Sequence, residues 1–194
     1  APEDLVPLPT VRQAGQAVSM GLVGQLGQEV DAVEGHPGVG AHEGEVVGSA
    51  GLRLRGYLEA LEAAGIPFDE RLIVPTTLWH RSNGAVAMRE LLSRDAPFDA
   101  VFGLNDTLAL GAMRVLQEAG YRIPTDVSVI GFDDLDEAMY SLPSLSTVDP
   151  GRAEIAEVAV RSLMERIEGG DAVGAPRLHL AQFRIIERES TSTR

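Results

Sequence analysis

The chain has 194 residues, a hydrophobic fraction of 44% and a formal net charge of -13. That length and apolar content suit one domain or two small lobes around a packed core and exclude global disorder, while so negative a surface repels phosphate backbones and speaks against stand-alone nucleic-acid binding. Cysteine is absent, which removes disulfides, thiolate nucleophiles and cysteine-bound metals together, and no apolar run reaches the roughly 18 residues of a membrane span.

The N-terminus, Ala1-Pro2-Glu3-Asp4, lacks the basic-then-apolar layout of a secretion signal, so a cytoplasmic location is expected. Residues 1–44 read as an irregular segment, rich in glycine and poor in strand signals. Val18 to Val30 forms at best a weak helix, interrupted at Gly21, Gly24 and Gly27 at about 1 kcal/mol each against alanine, and Glu34 to Gly51 reads as loop. Leu54, Tyr57, Leu58 and Leu61 then make one helical stripe that stops at Gly65 with Pro67 just beyond.

From Leu72 onward short apolar runs alternate with helical patterns. Leu72-Ile73-Val74 precedes an amphipathic stretch from Ser82 to Arg94. Ala100 to Leu104 precedes another, in which Leu108, Ala112, Val115 and Ala119 share a face, Asp106 stands as the helix cap and Gly120 as the stop. Val127 to Phe132 is the next strand. Arg152 to Glu168 repeats Ile155, Ala159, Leu163 and Ile167, and Leu178 to Ile186 reads as extended. This rhythm predicts an α/β fold, a parallel sheet flanked by helices.

In such sheets ligands sit beyond the carboxyl ends of the strands. That places Asn105, Asp106, Asp133, Asp134 and Trp79 at interesting positions, with Arg53 on the first helix. Planar polar groups hydrogen-bond hydroxyls in pairs and an indole face packs on the C–H surface of a sugar. Each residue has a plainer reading as well. Asp106 caps a helix, Asn105 suits a turn, one of Asp133 and Asp134 is structural, Arg53 and Arg55 are surface charges, and Trp79 is core. A metal or proton-transfer role for Asp133-Asp134 finds no histidine nearby in sequence. Gly35 to Gly40 follows no strand, which speaks against a phosphate loop, and neither G-x-S-x-G nor H-E-x-x-H occurs. No catalytic residue, metal or cofactor is therefore expected.

The segments Val101-Phe102-Gly103-Leu104-Asn105-Asp106-Thr107-Leu108-Ala109-Leu110-Gly111-Ala112 and Val127-Ser128-Val129-Ile130-Gly131-Phe132-Asp133-Asp134 closely resemble the lactose/galactose-repressor family of bacterial regulators. So do Arg53-Leu54-Arg55-Gly56-Tyr57, Pro143 to Val148 and Arg188-Glu189-Ser190-Thr191, all in the family's order, over roughly Ser49 to Thr191. The resemblance implies a periplasmic-binding-protein-like (type I) fold of two α/β lobes with a small molecule in the cleft. It implies that Arg53, Asn105 and Asp133 bind ligand, that Trp79 stacks on it, and that Tyr140 lies in a dimer contact.

Three departures accompany the resemblance. No helix-turn-helix headpiece precedes the match, so the chain is expected to be the effector-binding domain only, truncated at the N-terminus. Pro150 stands where many relatives carry a polar cleft residue. One lobe, 45–148 plus 175–194, is largely complete. The crossover helix within 149–174 belongs in the family to the other lobe, which is mostly missing. The function implied is sensing of a sugar or related small metabolite by a transcription regulator, with a homodimer as the working form, DNA reached only through the absent headpiece, and no membrane. The alternatives are a solute-binding component of a sugar transporter or a non-functional truncated remnant, and an enzyme is not expected.

Overall fold

The computed structural model describes residues 20–24, 48–169 and 178–191. Strand β1 (Met20–Gly24) is followed by helix α1 (Ser49–Ala63), β2 (Ile73–Pro75), α2 (Arg81–Ser93), β3 (Ala100–Gly103), α3 (Asp106–Glu118) and β4 (Ser128–Ile130). A short helix α4 (Asp136–Tyr140), strand β5 (Thr147–Asp149), helix α5 (Arg152–Gly169) and strand β6 (Arg184–Ile186) complete the described chain. The first four strands make one parallel sheet in the order β2-β1-β3-β4, with Leu22 opposite both Ile73 and Phe102 and Val101 opposite Val129. β5 and β6 form a separate antiparallel pair. Parallel neighbours need crossover connections, and α2 and α3 supply them between β2, β3 and β4.

The apolar stripes meet as their periodicity predicts. Leu54, Tyr57, Leu58 and Leu61 of α1, Met88 and Leu91 of α2, and Leu108, Ala112, Val115 and Leu116 of α3 are buried with Val74, Val101 and Val129 of the sheet. Each such Leu or Val stabilises the fold by about 1.5–3 kcal/mol. Both expected glycine stops are real. Gly65 and Gly120 take positive φ of 66° and 87°. In each case the residue after the glycine donates back five residues, Ile66 N–H to Leu61 O and Tyr121 N–H to Leu116 O, so the last carbonyls of the helix are satisfied.

The expectation for residues 1–44 fails in its described part. Residues 20–24 are neither irregular nor helical but a strand, and β1 is paired on both edges, between β2 and β3. A strand in that position carries a short apolar run instead of an alternation, and glycines that interrupt a helical stripe cost an extended segment less recognition than they cost a helix. The remainder of 1–44 lies outside the described residues. α5 forms as expected, with its stripe uncovered, Leu163 being 57% and Ile167 65% exposed.

Candidate ligand-binding site

β3 and β4 end side by side, and their carboxyl ends launch the two turns that build the site. After β3, Asn105 adopts an extended backbone (φ -149°, ψ 170°) and its side-chain oxygen accepts from Leu108 N–H at 2.8 Å. Asn105 is thus the cap of α3. The expectation that Asp106 is the cap is corrected: Asp106 is the first helical residue, and a cap needs the extended backbone that Asn105 has. Asn105 also directs its amide nitrogen at Trp79 O, 3.4 Å away, and Thr107 Oγ1 donates to the same carbonyl. These bonds tie the loop ahead of α2 to the end of β3.

Arg53 reaches the site from the second turn of α1. Its guanidinium donates to Leu104 O at the end of β3 and lies 3.3 Å from Asp133 Oδ1. The guanidinium carbon stands 3.8 Å from the centroid of Phe132 and 5.3 Å from that of Trp79. An arginine held between two rings and beside a carboxylate is fixed in orientation, since stacking and charge act on the same planar group. Burial disfavours both charges. It lowers the Arg53 pKa and raises that of Asp133, and their mutual attraction offsets only part of this.

Asp133 and Asp134 both adopt positive φ, 106° and 50°. They are the two middle residues of the turn between β4 and α4, and neither is glycine, so the turn is strained. The strain is held from several sides. Asp133 N–H donates to Val148 O at 2.9 Å and Asp134 N–H to Thr147 Oγ1 at 3.3 Å. Arg188 binds the Asp134 carboxylate at 2.6 Å, and Arg152, at the head of α5, donates to the Asp134 carbonyl. Only Asp133 turns its carboxylate to Arg53, so the two adjacent acids divide between site and scaffold.

Asp106 is fully buried beneath this turn. Its carboxylate accepts from Leu135 N–H at 2.7 Å and from Thr147 Oγ1 at 2.5 Å, and its own N–H donates to Phe132 O at 2.8 Å. Burial pushes its pKa up to about 6 against those hydrogen bonds, with the neighbouring carboxylates of Asp133 and Asp134 adding to the rise.

The structure thus brings Arg53, Trp79, Asn105 and Asp133 together, as the sequence placed them. Sequence reasoning missed Phe132 as a stacking surface, although it stands beside Asp133 at the strand end, and missed the grip of Arg152 and Arg188 on Asp134. Arg55 does not join the cluster. Tyr140 ends α4, 83% exposed and next to the exposed Met139, with Leu142 exposed two residues on. Among the described residues no group of three or more His, Asp or Glu is placed to hold a metal ion, and no helix is long and apolar enough to cross a membrane.

The polar and aromatic cluster lies at the carboxyl edge of a parallel α/β sheet, the place where open sheets of this kind hold ligands. Residues 34–191 match the periplasmic binding protein-like domain family. The chain belongs to that family, in the form of the effector-binding domain of LacI/GalR transcription regulators. It is 41% identical over 119 residues to the HTH-type transcriptional regulator AscG of Escherichia coli, covering 61% of this chain and 35% of that protein. A putative LacI-family regulator structure from Sanguibacter keddieii superposes with a TM-score of 0.74 at 44% identity, over 88% of this chain and 57% of the other. The complex of the transcriptional regulator CelR with cellobiose superposes with a TM-score of 0.70 at 32% identity, over 88% of this chain and 46% of the other. The chain therefore spans about a third of a curated relative's length and about half of the solved ones. The match begins at residue 34, ahead of Ser49, where the resemblance read from the sequence starts.

Proposed function

We propose that this chain is the ligand-sensing part of a bacterial transcription regulator, and that it takes a sugar or related small metabolite against Arg53, Trp79, Asn105 and Asp133. The observation that carries the reading is the Arg53 guanidinium, stacked between Phe132 and Trp79 and paired with Asp133 at the joint ends of β3 and β4. Adjacent hydroxyls of a sugar match the donors of a guanidinium and the acceptors of a carboxylate, and an indole accepts the C–H face. The bound cellobiose of the CelR complex is in keeping with that chemistry.

Ligand binding would act by population shift, favouring one arrangement of the regulator over another and so changing its hold on DNA. DNA contact is assigned to a helix-turn-helix headpiece outside these residues, the protein to the cytoplasm, and dimerisation to the surface around Tyr140. We read the chain as a binding protein and not an enzyme. The charged groups of the site are matched to one another, Arg53 to Asp133 and Arg188 to Asp134, which suits holding a ligand and a turn in place. The transporter alternative gains nothing from the relatives, which are regulators.

The test is a thermal melt of the chain with a panel of pentoses, hexoses and disaccharides. A ligand at about 100 times its dissociation constant adds about 2.7 kcal/mol, which for a domain of this size raises Tm by roughly 5–10 °C. The expected result is such a rise with one sugar class, abolished by Arg53→Gln and by Asp133→Asn. A cooperative melt moved by no compound, or moved equally in both variants, would remove the cluster from ligand binding.

A further inference from the structure

We infer that Asp106 is a positioning residue for the ligand site: it clamps the turn from Phe132 to Leu135 so that Asp133 and the Phe132 ring face Arg53. This rests on the reading of Arg53 and Asp133 as ligand groups, but the clamp itself is a matter of geometry. Asp106 grips the turn on both sides of its strained middle. Its N–H holds the carbonyl of Phe132, just before Asp133, and its Oδ2 holds the N–H of Leu135, just after Asp134. Two consecutive non-glycine residues at positive φ persist only where the surroundings fix both ends, and Asp106 fixes both.

The carboxylate is braced from the opposite direction as well. Thr147 of β5 donates to Oδ1, and the backbone of Gly131 passes directly over that oxygen. A Cβ at Gly131 would collide with Oδ1 and lie 3.1 Å from the Asp106 Cα, so the seat exists only because residue 131 has no side chain. Sealed from solvent, Asp106 cannot touch a ligand in this arrangement, and a buried carboxylate is costly unless its hydrogen bonds are all used. Those bonds go to β5 and to the one turn that carries Asp133. The residues flanking it in sequence serve the other half of the site, since Asn105 and Thr107 hold the carbonyl of Trp79. The start of α3 therefore sets the positions of both Trp79 and Asp133 relative to Arg53.

The experiment compares the unaltered chain with Asp106→Asn and Asp106→Ala, without sugar, under conditions where circular dichroism shows each fully folded. Asparagine can still accept from Leu135 and donate to Thr147, so it keeps the clamp, whereas alanine keeps neither bond. Amide hydrogen exchange is read residue by residue, and emission is read from Trp79, the one tryptophan of the chain. The expected result is that Asp106→Ala accelerates exchange at Asp133 and Leu135 by roughly tenfold or more beyond any change at Val101 or Leu116, as loss of a buried acceptor implies. Trp79 emission shifts in the same variant, and Asp106→Asn restores both signals. Uniform acceleration across the chain with unshifted emission would make Asp106 a stability residue only and overturn the inference. So would an Asn variant that behaves like the Ala variant or fails to fold. If Asp106→Ala alone does not fold, the Asn variant decides, with native exchange and emission required of it. No readout needs a ligand, so failure of the sugar panel would sink the ligand reading separately.

Discussion

The same substitution, glycine to alanine, should have opposite effects at two helical positions of this chain. Gly56 lies exposed in the middle of α1, and a Cβ there would meet nothing within 4 Å. Alanine in a helix interior is favoured over glycine by about 1 kcal/mol, so Gly56→Ala should raise Tm by roughly 2–4 °C. Gly111 sits where α3 crosses α2. A Cβ there would run into the backbone carbonyl of Arg81 and approach Ala85 N to 2.9 Å. Gly84 faces back across the same crossing, with its would-be Cβ 2.8 Å from the carbonyl carbon of Leu108. The obstructing atoms are backbone, so no rotamer change relieves the clash and the helices must separate. Overpacking costs about 1–3 kcal/mol, with backbone-on-backbone contact at the upper end. Subtracting the propensity gain of about 1 leaves a net loss of about 2 kcal/mol, or a Tm lower by roughly 4–8 °C. Thermal and urea unfolding followed by circular dichroism measure both. Equal shifts of the same sign would refute the reasoning, because propensity alone would then outweigh the crossing.

Stability should rise as pH falls from 7.5 to about 5.5. The Asp106 pKa is about 6 in the folded chain and about 4 unfolded. The folded state therefore binds the extra proton between those values, and its contribution is present in acid and lost as pH rises through 6. Two pKa units set a ceiling of roughly 3 kcal/mol. The carboxylates lowered by hydrogen bonding, Asp69, Glu137, Asp149, Glu154 and Glu189, weaken the fold only on further acidification. Melting curves across pH check this, and Asp106→Asn should flatten the rise; a Tm constant or falling from 7.5 to 5.5 contradicts it. Leu163→Ser on the exposed stripe of α5 should change unfolding by less than about 0.5 kcal/mol, whereas Leu108→Ala in the core should cost about 2–5 kcal/mol. Comparable losses in the two would mean that the α5 stripe is covered in solution. Arg188→Ala leaves the Asp134 carboxylate without its partner, and should lower Tm and speed exchange at Asp134 more than Arg114→Ala, which removes only an exposed helix-surface pair.

Much of this fold was legible because its elements carry their own punctuation. α1 and α3 end at the glycines that take positive φ, and the stripes of both helices are the buried ones. The nearness of Asn105 and Asp133 was legible because strand ends in a parallel sheet converge, so the two could be placed together without any contact being known. β1 was not legible. Local pattern favours neither state in a short apolar run containing glycine, and the strand exists through pairing with β2 and β3, residues about 50 and 80 positions away. The choice between Asn105 and Asp106 as cap was similarly closed to sequence, since both are good capping residues and only the backbone angle at Asn105 decides it.

The adjacent acids Asp133 and Asp134 show what spacing can and cannot say. Two neighbouring carboxylates at a strand end are compatible with a metal, a proton-sharing pair or a ligand contact. The positive φ at both residues turns the side chains apart, one toward Arg53 and the other toward Arg188. That separation argues against a shared proton, which requires two carboxylates in contact. It also gives the turn two attachments of different kinds. Asp133 belongs to the cluster read as the ligand site, while Asp134 is held by Arg188, beyond β6, and by Arg152, at the head of α5. A ligand that competes with Asp133 for Arg53 must therefore act on a strained turn already tied to the segments that lead away from the sheet. Those two arginines are one link from this site toward α5, beside the backbone bond from Asp133 to Val148 of β5. The double substitution of Arg152 and Arg188 to Gln should accordingly preserve a sugar-induced Tm rise while reducing a ligand-dependent change in hydrogen exchange along α5. Loss of the Tm rise itself would place the arginines in binding and not in its transmission.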